Sequence, residues 1–81
     1  MSKAGNKEAT VIWYDPTKGY GFLRVDGERD DVFVHNSAVR DGGVDPRRLL
    51  KGAVIRCNVG QQRGRRCAVE IGFVSDPPPA G

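Results

Sequence analysis

Two short runs of this 81-residue chain carry the side chains from which chemistry could be built. They are Lys18-Gly19-Tyr20-Gly21-Phe22-Leu23 and, a little further on, Asp31-Val32-Phe33-Val34-His35. Side chains alternate between the faces of an extended strand, so Tyr20, Phe22 and Arg24 share one side and Gly21, Leu23 and Val25 the other. Phe33 and His35 stand opposite Val32 and Val34 in the same way. The two apolar faces can close a core together, which leaves the rings outside. Large exposed rings cost free energy unless something covers them, and flat unsaturated groups such as nucleobases cover them well. The predicted chemistry is stacking rather than bond-making.

Bond-making chemistry has little to start from. Catalysis needs a nucleophile, a base and a stabilising site within reach, and the chain has a single histidine, His35, with no compelling partner. Asp30 and Asp31 are adjacent, and neighbours on a strand point to opposite faces. A GxxxxGK phosphate loop is missing, which argues against ATP-driven unwinding. Cys57 and Cys67 lack the paired short spacings of a zinc site and read as small core residues. The sequence therefore predicts no catalytic residue, no metal, no cofactor and no small-molecule substrate. With neither a signal peptide nor a long apolar run, it predicts a monomer in a reducing cytoplasm, with no membrane partner. A protein-docking module, and behind it a ribonuclease built on His35, are the competing readings.

Thirteen lysines and arginines against ten acidic residues give a formal charge of +3, too mild to prove a polyanion partner. Placement says more. Arg63, Arg65 and Arg66 crowd one loop while Asp26, Glu28, Asp30 and Asp31 crowd another, which predicts a lopsided field. A solvated surface explains the acidic loop better than it explains the arginines.

The elements that must hold these residues are short. Residues 1–8 are polar and aperiodic and read as a disordered lead-in. A domain spanning 9–73 follows, then a proline-rich tail or linker over 74–81. The first strand contains Val11-Ile12-Trp13-Tyr14, four apolar residues on both parities, so parity does not say which pair faces inward. Asp15-Pro16-Thr17-Lys18-Gly19 turns into the second strand, Tyr20 to Val25, and Asp26-Gly27 signals a hairpin into the third, Asp31 to His35. Asn36-Ser37 opens a long connection in which Asp45 can cap a helical turn, with Pro46 first, Arg47 to Lys51 as its body and Gly52 as its stop. The fourth strand, Ala53 to Val59, turns through Gly60-Gln61-Gln62-Arg63-Gly64 into the fifth, Arg66 to Phe73, whose end falls near the limit of the barrel. Five short strands with no helix long enough to cover a sheet predict an all-β barrel, whose closure also removes unpaired edges.

Lys18 to Phe22 fits the opening of the RNA-recognition signature, but that fold needs two amphipathic helices that this chain lacks. The same surface chemistry must sit on another scaffold. From about Thr10 to Ile71 the chain resembles a bacterial cold-shock domain. Lys18-Gly19-Tyr20-Gly21-Phe22-Leu23 matches that family's first nucleic-acid-binding motif and Val32-Phe33-Val34-His35 its second, with Asp30-Asp31 before it and Ser37-Ala38-Val39 after it. The resemblance implies a five-stranded antiparallel Greek-key barrel, the OB-fold, that binds single-stranded RNA and DNA and serves as an RNA chaperone or a regulator of transcription or translation. It puts Trp13 on the binding surface, has Trp13, Tyr20, Phe22, Phe33 and His35 stack on successive bases, and has Lys18 meet phosphate.

Departures from the family pattern carry expectations of their own. Asn36 and Val44 stand where the family usually has aromatic rings, and Thr10 and Ile12 replace lysines. Two stacking rings are thus expected to be missing, each worth on the order of 1 kcal/mol or more. Arg63, Arg65 and Arg66, with Arg56 added, are expected to offset part of that loss, because guanidinium both pairs with phosphate and stacks on bases. The resulting expectation is binding with a larger electrostatic share than is usual for the family.

Overall fold

The computed structural model describes residues 5–77. Residues 1–4 of the expected lead-in and 78–81 of the expected tail lie outside the described residues. Strand β1 (Lys7–Asp15) begins two residues before Ala9, and is followed by β2 (Tyr20–Val25), β3 (Val32–His35), a short helix α1 (Asn36–Asp41), a 3-10 turn at Pro46–Arg48, β4 (Val54–Gln62) and β5 (Arg65–Ser75). The strands close a barrel in the order β1-β2-β3-β5-β4, with β4 antiparallel to β1 across the closure. Four of the pairings are antiparallel, but β3 meets β5 in parallel, at Phe33 opposite Cys67. An odd number of strands cannot alternate direction all the way round a ring. One parallel contact is therefore obligatory, and it corrects the all-antiparallel expectation.

The ambiguous parity of β1 is resolved by a β-bulge. Val11 pairs with Leu23 and Trp13 with Phe22, so Ile12 is the extra residue. An inserted residue shifts the phase of alternation. Val11 and Tyr14 consequently both point into the core, and Trp13 points out. A second irregularity separates the Arg56–Gly72 and Asn58–Val69 pairs of β4 and β5, where Glu70 takes a positive φ of 53°. It buries both Ala68 and Ile71, which simple alternation along β5 would have set on opposite faces.

Leu23, Val25, Val32, Val34, Val39, Ala53, Ile55 and Cys57 form the centre of the core, each at most 1% exposed. Phe73 packs against this cluster, and Arg48 lies over its ring at 4.0 Å while reaching Asp76 at 3.1 Å. Those contacts carry β5 past its expected end. At the other terminus, Lys7 and Glu8 pair with Cys57 and Arg56, and the Arg56 guanidinium donates to the carbonyls of Gly5 and Asn6 at 3.2 and 2.9 Å. Polar residues join the sheet here because the ladder needs backbone groups and not apolar side chains. Arg56 is thus occupied holding the chain start.

The connection after β3 contains a helix that the sequence did not announce. Its N-cap is His35, whose Nδ1 accepts from the Ser37 amide at 3.2 Å, in place of the usual Ser, Thr, Asp or Asn. Asp45 caps the following turn as expected, accepting from the Arg47 amide at 2.9 Å, though the turn stops at Arg48. Among the described residues no helix is long and apolar enough to cross a membrane.

Burial raises the Cys57 thiol from an ordinary 9.0 to about 11, against a smaller opposing pull from Lys7. Between these values the unfolded chain sheds a proton that the folded chain keeps, so stability falls as pH rises through this window, by about 3 kcal/mol from this group. Urea unfolding from pH 9 to 11 should show that fall. Cys57→Ala, less stable throughout, should flatten it, and an unchanged slope in the variant would assign the loss to other groups.

Candidate nucleic-acid interface

The register of β2 against its neighbours assembles the rings. Phe22 pairs with Trp13 on one side and with Phe33 on the other, while Tyr20 pairs with His35. Cross-strand partners project from the same face, so five aromatic side chains form one patch. Trp13 lies 5.4 Å from Tyr20 and 6.3 Å from Phe22, centroid to centroid. Phe33 lies 5.8 Å from Tyr20, 5.9 Å from Phe22 and 6.3 Å from His35. Trp13 is 41% exposed and Phe22 36%, whereas Tyr20 and Phe33 are half-buried edgewise among them. Gly21 makes the close approach possible, since a Cβ there would strike the Trp13 carbonyl and the Tyr14 Cα.

The turn before β2 is built to present Lys18. Asp15 Oδ1 accepts from the Thr17 and Lys18 amides at 2.9 and 3.2 Å, and Gly19 closes the turn at φ 81°. Lys18 is left exposed. The Gly19 carbonyl then accepts from the Asn36 amide at 2.8 Å, which ties the turn to the start of α1. His35 is held by its neighbour: Nδ1 accepts from the Ser37 amide and lies 3.0 Å from Ser37 Oγ. An accepting Nδ1 places the ring proton on Nε2 in the neutral form.

The expected loop between β4 and β5 is a tight hairpin. Gln62 pairs with Arg65, leaving Arg63 and Gly64 as a two-residue turn with positive φ at both, 54° and 76°, the combination that matches strand twist. Pairing through Gln62 brings the hairpin against β3. Phe33, His35, Ser37, Gln62, Arg63, Arg65 and Cys67 line a groove of about 510 Å³, and the Arg65 guanidinium sits over the Phe33 ring, 4.9 Å from its centroid. Gln62 carried no binding signal in the sequence, and Ser37 only as part of the run that follows the second motif. Cys67 is 5% exposed and buried, as its reading as a small core residue expected, and it also lines this groove. Among the described residues no three His, Cys, Asp or Glu side chains gather where they could hold a metal ion.

Residues 7–74 match the sequence profile of the 'Cold-shock' DNA-binding domain. The chain belongs to this family, which binds nucleic acid. It is 33% identical over 82 residues to cold shock domain-containing protein 4 of Arabidopsis thaliana, covering all of this chain and 40% of that protein. Over 37 residues it is 51% identical to cold shock protein CspA of Staphylococcus aureus and to CspA of Staphylococcus haemolyticus, covering 46% of this chain and 54% of each relative. The chain thus spans about half the length of these relatives.

Within this cold-shock domain three sequence-based expectations change. Val44 is 7% exposed and packs in the core, so it is not a vacated stacking position on the outer face. Folding brings the acidic loop and the arginines together, which the one-loop reading of charge did not expect: Arg66 bridges Glu28 at 2.7 Å, and Asp30 and Asp31 line a groove with Phe22, Phe33, Arg65 and Arg66. Arg56 lies with the chain start and not with the arginine triplet. Arg63 and Arg65 are left as the hairpin cations without an ion-pair partner among the described residues. Glu28→Gln frees Arg66. The expected outcome is a stability change within about 1 kcal/mol and a salt dependence of single-strand binding steeper by about 0.7 in log-log slope. An unchanged slope would mean that the bridge withholds no phosphate contact.

Proposed function

We propose that this cold-shock domain binds single-stranded RNA and DNA by stacking unpaired bases on Trp13, Tyr20, Phe22, Phe33 and His35, with Lys18 and Arg63 meeting the backbone phosphates. The observation that carries the reading is the contiguous five-ring patch on one outer face of the barrel. Every base has a π-face, so stacking of this kind tolerates sequence. A duplex offers no free faces. Binding therefore favours open strands, and by mass action draws RNA from hairpin toward single strand. That is RNA chaperoning, and it serves equally to regulate transcription or translation. The mechanism needs no catalytic group, no cofactor and no second copy of the chain. It fits a monomer in the cytoplasm, and the strand order supports the Greek-key form of the OB-fold.

Trp13 is the only tryptophan, so its fluorescence reports on the platform alone. A short oligo-pyrimidine strand should quench it, and duplex of equal length should do so far less. Phe22→Ala and Phe33→Ala should each weaken binding by about 1 to 3 kcal/mol. If no strand alters the signal at low salt, a protein partner for the ring patch becomes the better account.

A further inference from the structure

We propose that Arg65 makes one position of the platform selective for guanine. The inference rests on the stacking function above and concerns what the groove beside Phe33 reads. At the edge of the stacking platform, the Arg65 guanidinium sits over one face of the Phe33 ring, 4.9 Å from its centroid. Its neighbour His35 has its ring centre 6.3 Å away, tilted by 34°, and is locked in place by Ser37. Arg65 and His35 line the same groove, so a base stacked on His35 brings an edge within reach of the guanidinium. The base that best meets an arginine edge-on is guanine, which offers O6 and N7 as two acceptors to the two-pronged donor.

The surroundings argue against a simple phosphate clamp. The groove continues past His35, Ser37, Gln62 and Cys67 to Asp41 and Glu70. On its other flank Arg65 shares a groove with Asp30 and Asp31. The Asp30 and Asp31 carboxylates in the groove Arg65 shares oppose a phosphate there through charge repulsion, whereas a neutral base with an acceptor edge meets no such penalty. Arg63, at the hairpin tip, is placed for the backbone instead.

The test uses Trp13 quenching by short oligo-thymidine strands carrying one central guanine, adenine, 7-deazaguanine or inosine. Strands can slide in register, so a single guanine suffices. The native protein should prefer guanine over adenine by about tenfold or more, the worth of one good two-bond contact. Inosine, which keeps O6 and N7, should behave as guanine, and 7-deazaguanine, which lacks N7, should lose most of the preference. Arg65→Ala should abolish the preference, so that guanine and adenine strands bind equally, and Arg65→Lys should restore it only in part. Equal binding of guanine and adenine strands overturns the proposal, and so does an Arg65→Ala loss of similar size on every strand, which marks a phosphate contact. Failure of every strand to bind at low salt overturns the stacking function itself, and this inference with it.

Discussion

The structure depends on the register of β2 between β1 and β3, because the same two pairings build the interior and the exterior. Leu23 and Val25 face inward with Val32 and Val34, and in the same strands Phe22 lies between Trp13 and Phe33 on the outside. A slip of one residue would exchange the two faces, burying rings and exposing the core. Gly21 protects the register where β1 presses closest, and the bulge at Ile12 lets β1 supply Val11 and Tyr14 to the core while turning Trp13 outward. Core packing is in this sense what aligns the platform.

Electrostatics plays a local part. The composition gives a net +3, but folding sets the acidic loop and the arginine hairpin against each other, and Arg66 is spent on Glu28. What survives at the rings is a pair of guanidiniums, Arg63 and Arg65, in one groove, of which Arg65 also shares a second groove with Asp30 and Asp31. Such a surface suits contacts that discriminate among neutral groups better than it suits long-range attraction of a polyanion, which an extended basic field would favour. The proposed function accordingly assigns affinity to the rings.

Much of this was legible in the sequence, because alternation and turn residues are local signals. The two motif strands, the all-β barrel, the Asp45 cap and the outward rings of β2 and β3 all follow from residues close in the chain. What was not legible arises from pairings distant in sequence. The phase shift at Ile12 exists only relative to β2. The lead-in joins the sheet at Lys7 only because β4 offers Cys57 and Arg56 as partners. Helix α1 hides behind an uncommon cap, the His35 ring. Glu28 and Arg66 meet across 38 positions, so a reading of charge runs one loop at a time could not foresee their cancellation. That Cys67, buried as expected, also lines the groove follows from its parallel pairing with Phe33, a contact between residues far apart in the chain.

The central claim is that the ring patch on β1, β2 and β3, together with the β4–β5 hairpin, is the surface that meets single strands. Chemical-shift mapping with a short unpaired oligonucleotide tests it most directly, since it surveys every face of the barrel at once. The account predicts that the largest changes fall on Trp13, Tyr20, Phe22, Phe33 and His35 and extend to Arg63 and Arg65. Leu50 and Val74, the other large apolar side chains left exposed among the described residues, should stay still. Changes centred on Leu50 and Val74, with the rings unmoved, would contradict it.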